Sequence, residues 1–157
     1  MGQRTGAREV LWAEGPSAFT FMVRDWGFLG PERIDDGLAY HRPGLHARIE
    51  FWTWNHETGF TTTVERVGDL SALVQAASLG RLYVACGLGP AYVVPETAGS
   101  GHALRKRITQ HSSALQLVTP HVSGPAAASL ASACPGWPDK YRQSGKHWSK
   151  SSGREGR

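Results

Sequence analysis

The side chains of this sequence that could do chemistry are few and scattered. Seven histidines invite a metal reading. His41 and His46 flank Pro43-Gly44 closely enough for their rings to meet, but a metal site needs at least a third ligand. His56 and Glu57 belong to the next turn, about ten residues or ~33 Å along the intervening extended run, so they cannot complete it. No His-Glu-x-x-His pattern and no clustered CxxC occurs. The expectation is no bound metal, no cofactor, and histidines that make ordinary hydrogen bonds.

Nucleophiles are equally sparse. Cys86 and Cys134 are the two cysteines, too few and too far apart for a disulfide framework, which points to a reducing compartment. Cys86 lies in an apolar run, where burial would raise a thiol pKa instead of activating it. No Gly-x-Ser-x-Gly elbow appears. Asp35-Asp36 precede Gly37 and read as turn formers. Glu50, Glu65, Arg48 and Arg66 fall where partner strands would bring them together, a ladder of exposed ion pairs that requires no catalysis. No set of residues combines suitable chemistry with a plausible geometry, so no enzyme is expected.

Two binding surfaces remain. Gly99-Ser100-Gly101-His102 leads into a helical pattern with Arg105, Lys106 and Arg107 in its first turns, which resembles an anion-binding helix start. It lacks the spacing and terminal Lys-Ser/Thr of a phosphate loop. Ser100, Gly101, Arg105, Lys106 and Arg107 are therefore the alternative site, for a small anion or RNA. The other surface centres on Trp52 and Trp54, with Arg48. On a strand all three point one way, opposite to Ile49 and Phe51, so large apolar groups stand on both faces. One face must pack on helices. The other is either covered by the N-terminal segment around Trp12 or left exposed as a contact patch, and interfaces concentrate aromatic residues.

The elements that must position these residues follow from periodicity. Phe19, Met22, Val23 and Trp26 form one helical stripe, with Ser17 as its cap and Gly27 at its end. Phe28 to Pro31 reads as a loop, and Glu32 to Arg42 as extended chain broken at Asp35-Asp36-Gly37. Leu45 to Trp54 alternates strictly, as a half-buried strand does. Asn55 to Gly59 separates it from the β-prone run Phe60 to Val67, giving a hairpin. Asp69 predicts an N-cap for a helix carrying Leu70, Leu73, Val74 and Ala77 and ending at Gly80. Leu82 to Cys86 and Ala91 to Val94 stay open between strand and helix. Ser100 caps a last helix with Leu104, Ile108, His111, Leu115 and Val118 on one face, stopped by Pro120. This order predicts an α+β fold, about three helices on one face of a small antiparallel sheet or meander.

The net charge of +4 is unevenly placed. From Met1 to Val122 eleven basic residues balance eleven acidic ones, whereas Ser123 to Arg157 holds six basic and two acidic. That end also has seven Ser, five Gly and three Pro, with Leu130 as its only large aliphatic residue. The reading is one domain over 1–122, with the first eight or so residues loose, and a disordered basic tail over 123–157, native or fused, that buries too little to offset ordering entropy. A charge-balanced body argues against nucleic acid as its partner. The start of the chain shows no apolar export core, its Gly2 to Gly6 stretch departs from a myristoylation signal, and no run is apolar enough to span a bilayer. A cytoplasmic protein without a membrane partner is expected.

The body resembles a group of small uncharacterised α+β proteins of actinobacteria. The resemblance rests on Phe19 to Phe28 with Gly30-Pro31-Glu32, Tyr40-His41-Arg42-Pro43-Gly44, Glu57-Thr58-Gly59-Phe60, and Leu104-Arg105-Lys106-Arg107 with Gln110-His111. It spans about Ser17 to Val122. In outline such proteins are similar to immunity proteins of bacterial toxin systems, a fold-level likeness. It implies action by binding another protein, as an immunity-type inhibitor would.

Overall fold

The alternation from Leu45 to Trp54 forms a strand with those same bounds, and its inward residues Leu45, Ala47, Ile49 and Phe51 are all buried. Burying an Ile or Phe side chain stabilises by roughly 1.5 to 3 kcal/mol, so this face fixes where the helices must lie. The computed structural model describes residues 2–67, 73–99 and 101–123. In chain order it contains α1 (Gly2–Ala18), α2 (Thr20–Arg24), β1 (Leu29–Ile34), β2 (Gly37–Arg42), β3 (Leu45–Trp54), β4 (Glu57–Val67), β5 (Leu73–Ser78), α3 (Leu79–Ala85), a 3₁₀ turn at Ala91–Val93, and α4 (Gly101–Ser123). The five strands lie in sequence order, each antiparallel to the next. The fold is α+β, with the helices on one face of the sheet.

Register assigns the two faces. Ile49 pairs with Leu38 of β2 and Thr62 of β4, and Ala47 pairs with Tyr40 and Val64. These residues are buried under the helices. The β3–β4 turn is tighter than expected: only Asn55 and His56 turn the chain, both with positive φ (49° and 67°), and β4 already begins at Glu57. Two-residue hairpin turns of this hand match the twist of the strands they join.

Several sequence expectations are corrected. Ser17 does not cap the first helix; it lies inside α1, which begins at Gly2, within the stretch expected to be loose. Ala7 and Leu11 are buried on α1, and Gly15 sits where an added Cβ would lie 2.5 Å from Leu38 Cδ1. A stripe of one leucine between two small residues, Ala7 and Gly15, thus brings α1 down on the sheet, a weaker periodic signal than a run of bulky side chains gives. The chain breaks at Phe19, so the expected stripe is split: Phe19 and Met22 are buried, Trp26 packs at the core margin, and Val23 turns to solvent. Phe28 to Pro31 is not all loop, because β1 starts at Leu29. It is an edge strand, where a proline lacking an N–H is tolerated.

The largest correction concerns Leu73 to Ser78, expected as helix and found as β5. Asp69 and Leu70 lie outside the described residues. The end of β4 has an open edge, and Ala77 pairs with Val64 while Ser78 pairs with Thr63. A short apolar run is compatible with both periods, and the nonlocal partner decides. Gly80 then falls inside α3 instead of ending a helix. Pro120 does not stop α4, which runs on to Ser123. The N–H it lacks would have served the carbonyl of Gln116, an exposed residue whose carbonyl can turn to water. The tail over 124–157 lies outside the described residues, as does the cap residue Ser100.

Candidate functional site

The helix-free face of the sheet collects the remaining strand residues. Along β3 these are His46, Arg48, Glu50, Trp52 and Trp54. Register sets His41 opposite His46, Ala39 opposite Arg48 and Gly37 opposite Glu50 in β2. On the other side, Glu65, Thr63, Thr61, Gly59 and Glu57 of β4 stand opposite the same five residues in turn. The aromatic end is open: Trp54 is 75% exposed and Trp52 is half-buried. Trp12 does not cover it. Its indole N–H donates to the Gly37 carbonyl at 2.9 Å, and the guanidinium groups of Arg8 and Arg33 lie over its ring, 5.3 and 5.2 Å from the centroid. Arg33 pairs with Leu38, so Trp12 belongs to the helix side.

A short segment frames the same end. The Phe60 N–H donates to the Glu96 carbonyl at 3.0 Å, and the Ala98 N–H donates to the Thr58 carbonyl at 2.8 Å. This pairing occupies the length of β4 that β5 does not reach. It depends on Gly59, where a Cβ would lie 1.8 Å from the Glu96 carbonyl oxygen and 2.8 Å from Trp52 Cζ2. The Glu96 carboxylate then accepts from the Thr61 hydroxyl at 3.1 Å. Burial pushes the Glu96 carboxyl up, opposed by that hydrogen bond. Nothing in the spacing of Pro95-Glu96 signals this role.

At the centre, Arg48 is shared between two carboxylates, 3.4 Å from Glu50 and 3.6 Å from Glu65. Ala39 and Ala76, their small neighbours on β2 and β5, are buried although no helix among the described residues covers this face. Burial raises the Glu50 carboxyl; Arg48 opposes the rise, while Glu65 and Asp36 add to it. At the far end the His41 and His46 rings meet edge to face, with centroids 4.7 Å apart. His41 Nε2 lies 3.1 Å from a Glu32 oxygen. Burial, then His41, lowers the His46 pKa; Glu65 pulls it up and Arg48 pushes it further down. Among the described residues no group of three or more His, Cys, Asp or Glu is arranged to hold a metal ion.

The structure does not draw the basic residues of α4 into one site. Arg105 pairs with Glu14 of α1 at 2.6 Å. Arg107 donates to the Thr97 carbonyl at 2.7 Å and to Gln110 at 2.9 Å. Lys106 alone of the three faces solvent without a described partner. Gly101 opens α4. Asp35 and Asp36 form the β1–β2 turn, where their carbonyls accept from Arg8 and from the Phe51 N–H. Cys86, expected as buried, is half-exposed at the end of α3.

His111, noted in the sequence for its helical stripe and in the resemblance but not as a site residue, is 1% exposed and bridges α4 to β4 and to Pro95. No family model, curated protein or solved structure matches the chain.

Proposed function

We propose that the chain acts by binding another protein through the open sheet face, with Trp52, Trp54 and Arg48 at the contact. The observation that carries this reading is the exposure of Trp54 beside half-buried Trp52, on a five-stranded face that bears no helix among the described residues. Aromatic anchors of this kind dominate the energetics of protein interfaces. A sheet held by its hydrogen-bond ladders also presents them with little ordering cost on association.

A role without catalysis fits the same geometry. Arg48 is divided between Glu50 and Glu65, and His41 and His46 face each other and Glu32, so the polar groups are arranged in mutual pairs. An immunity-type inhibitor, which covers the working surface of a toxin, is the form of binding we favour. A cytoplasmic setting accords with a chain that has two cysteines in all, and no helix among the described residues is long and apolar enough to cross a membrane. The anion or RNA reading at Gly101 to Arg107 has less support, since Arg105 and Arg107 are engaged within the protein.

Panning a displayed peptide library against the full chain, with counter-selection on Trp54→Ala, tests the proposal. Sequences that bind the parent about tenfold or more tightly than the variant, a difference of ~1.4 kcal/mol, support it. Binders indifferent to Trp54 would overturn it.

A further inference from the structure

The open face is an acidic island on a basic chain. Glu32, Glu50, Glu57 and Glu65 all fall on it by register. Glu96 joins them through Thr61. Among the described residues of this face Arg48 is the one side chain with a permanent positive charge, because register assigns Arg33, Arg42 and Arg66 to the helix side. Arg48 cannot neutralise this set. Its contacts with Glu50 and Glu65 are long for charged pairs, 3.4 and 3.6 Å, where close ones measure about 2.7 to 2.9 Å. Each carboxylate therefore keeps acceptor capacity, Glu50 at the surface with its side chain one third exposed and Glu65 beneath it, 8% exposed. Glu32 and Glu57 are exposed, the first beside β2 and the second opposite Trp54.

From this charge pattern we infer that the protein partner presents a cationic, Lys- or Arg-rich segment to this face, laid across the carboxylates with one cation over the exposed ring of Trp54. This rests on the binding role proposed above and adds the chemistry of the partner. A guanidinium over an indole ring is attractive, and Glu57 across the strand pair from Trp54 supplies the counter-charge. The body over 1–122 is charge-balanced and the net +4 lies in 123–157, so a polycation gains nothing from the protein as a whole. Capture must come from the local carboxylates, which makes the effect separable from unspecific attraction.

The test titrates the full chain with a labelled peptide of alternating arginine and serine, and with a control in which glutamate replaces arginine. The arginine peptide is expected to bind, more weakly as salt rises, and the glutamate peptide not to bind. Glu32→Gln with Glu57→Gln, both exposed, should weaken binding about tenfold. Glu50→Gln with Glu65→Gln should weaken it further, and Trp54→Ala should weaken it as well. Glu9→Gln, exposed on α1, should change nothing.

Absence of binding by the arginine peptide overturns the inference, as does binding unmoved by the face variants. The parent reading fails differently. If the displayed library yields Trp54-dependent binders without enrichment in Lys or Arg, the cationic partner is wrong and the binding role stands. If it yields none that depend on Trp54, both fall.

Discussion

His111 and Thr62 meet across the boundary between α4 and the sheet, with the Thr62 hydroxyl 2.9 Å from His111 Nδ1. The other ring nitrogen, Nε2, lies 2.8 Å from the Pro95 carbonyl, which can only accept. Nε2 therefore carries the proton, and Nδ1 accepts from Thr62. The ring is neutral and fully used. One side chain so ties α4 to β4 and to the segment that pairs with the hairpin.

A pH dependence follows. Burial lowers the His111 pKa from its ordinary 6.5; the Pro95 hydrogen bond opposes this and Arg107 adds to it. Below that pH the unfolded chain binds a proton that the folded one resists. Stability should therefore be complete above about pH 6.5 and fall as the pH drops through the window down to the folded pKa. His46 shifts in the same direction. Glu50 and Glu96, raised by burial, act with the opposite sign at lower pH, where their folded forms take up protons more readily. Urea denaturation between pH 5 and 8 should show the loss, with a flatter profile for His111→Gln. An unchanged profile would mean that His111 is solvated. Thr62→Val should cost ~1 to 3 kcal/mol by leaving Nδ1 without a donor.

Tyr40 presents the reverse case. It is fully buried, and its hydroxyl has no hydrogen-bond partner among the described residues. Burial pushes its pKa up to about 12. A buried hydroxyl without a partner costs roughly 1 to 3 kcal/mol. Tyr40→Phe should accordingly leave the melting temperature unchanged or raise it, and a clear drop would reveal a hidden partner.

The two faces of β3 predict opposite responses. Phe51→Ala should cost ~3 to 5 kcal/mol through lost transfer energy and a cavity. Trp54→Ala, at a site 75% exposed, should stay within about 0.5 kcal/mol of the parent. Chemical denaturation of both measures the contrast directly. Reversed losses, with Trp54→Ala the costly one, would mean that the strand faces the other way, since a one-residue slip exchanges its faces.

Gly59→Ala should be far more damaging than Gly15→Ala. At Gly59 the new methyl meets a backbone carbonyl, that of Glu96, which cannot move without releasing the segment from β4. At Gly15 it meets the end of the Leu38 side chain, which can rotate, while the helix gains up to about 1 kcal/mol from losing a glycine. Thermal melts of the two variants decide the order. Amide exchange at Phe60 and Ala98 should rise in Gly59→Ala alone.

RNA supplies the check on the alternative site. Replacing Arg105, Lys106 and Arg107 together by Gln should leave any RNA affinity of the full chain, and its salt slope, as they were. A slope reduced by about one phosphate contact per residue would restore the anion-binding reading.

Much of this arrangement is legible in the sequence. Alternation from Leu45 to Trp54 places Arg48, Trp52 and Trp54 on one face and Ile49 and Phe51 on the other, because a strand has a period of two whatever its neighbours are. It also brings Arg48 near Glu65. What stays hidden depends on partners remote in sequence. Leu73 to Ser78 carries a helical stripe, and only the open edge of β4 makes it a strand. Glu96 reaches the face because Gly59 lets its carbonyl approach, a steric fact that no periodicity records. The openness of the Trp54 face depends on where α1 lands, and that is set by Gly15 against Leu38.

The sequential order of β1 to β5 also shapes how the chain assembles. Each strand finds its partner across a short connection, so the meander can form from near neighbours. The helical layer is different: Ser112 bonds the Ala18 carbonyl and Arg105 bonds Glu14, across 94 and 91 positions. Closing so long a loop costs entropy that the nearby strand pairs do not face. The sheet is therefore expected to form before α1 docks on α4, an order that pulsed amide exchange during refolding would check. Loosening that helix contact, as in Ser112→Ala, should then speed unfolding and leave the folding rate nearly untouched, which stopped-flow unfolding and refolding would measure.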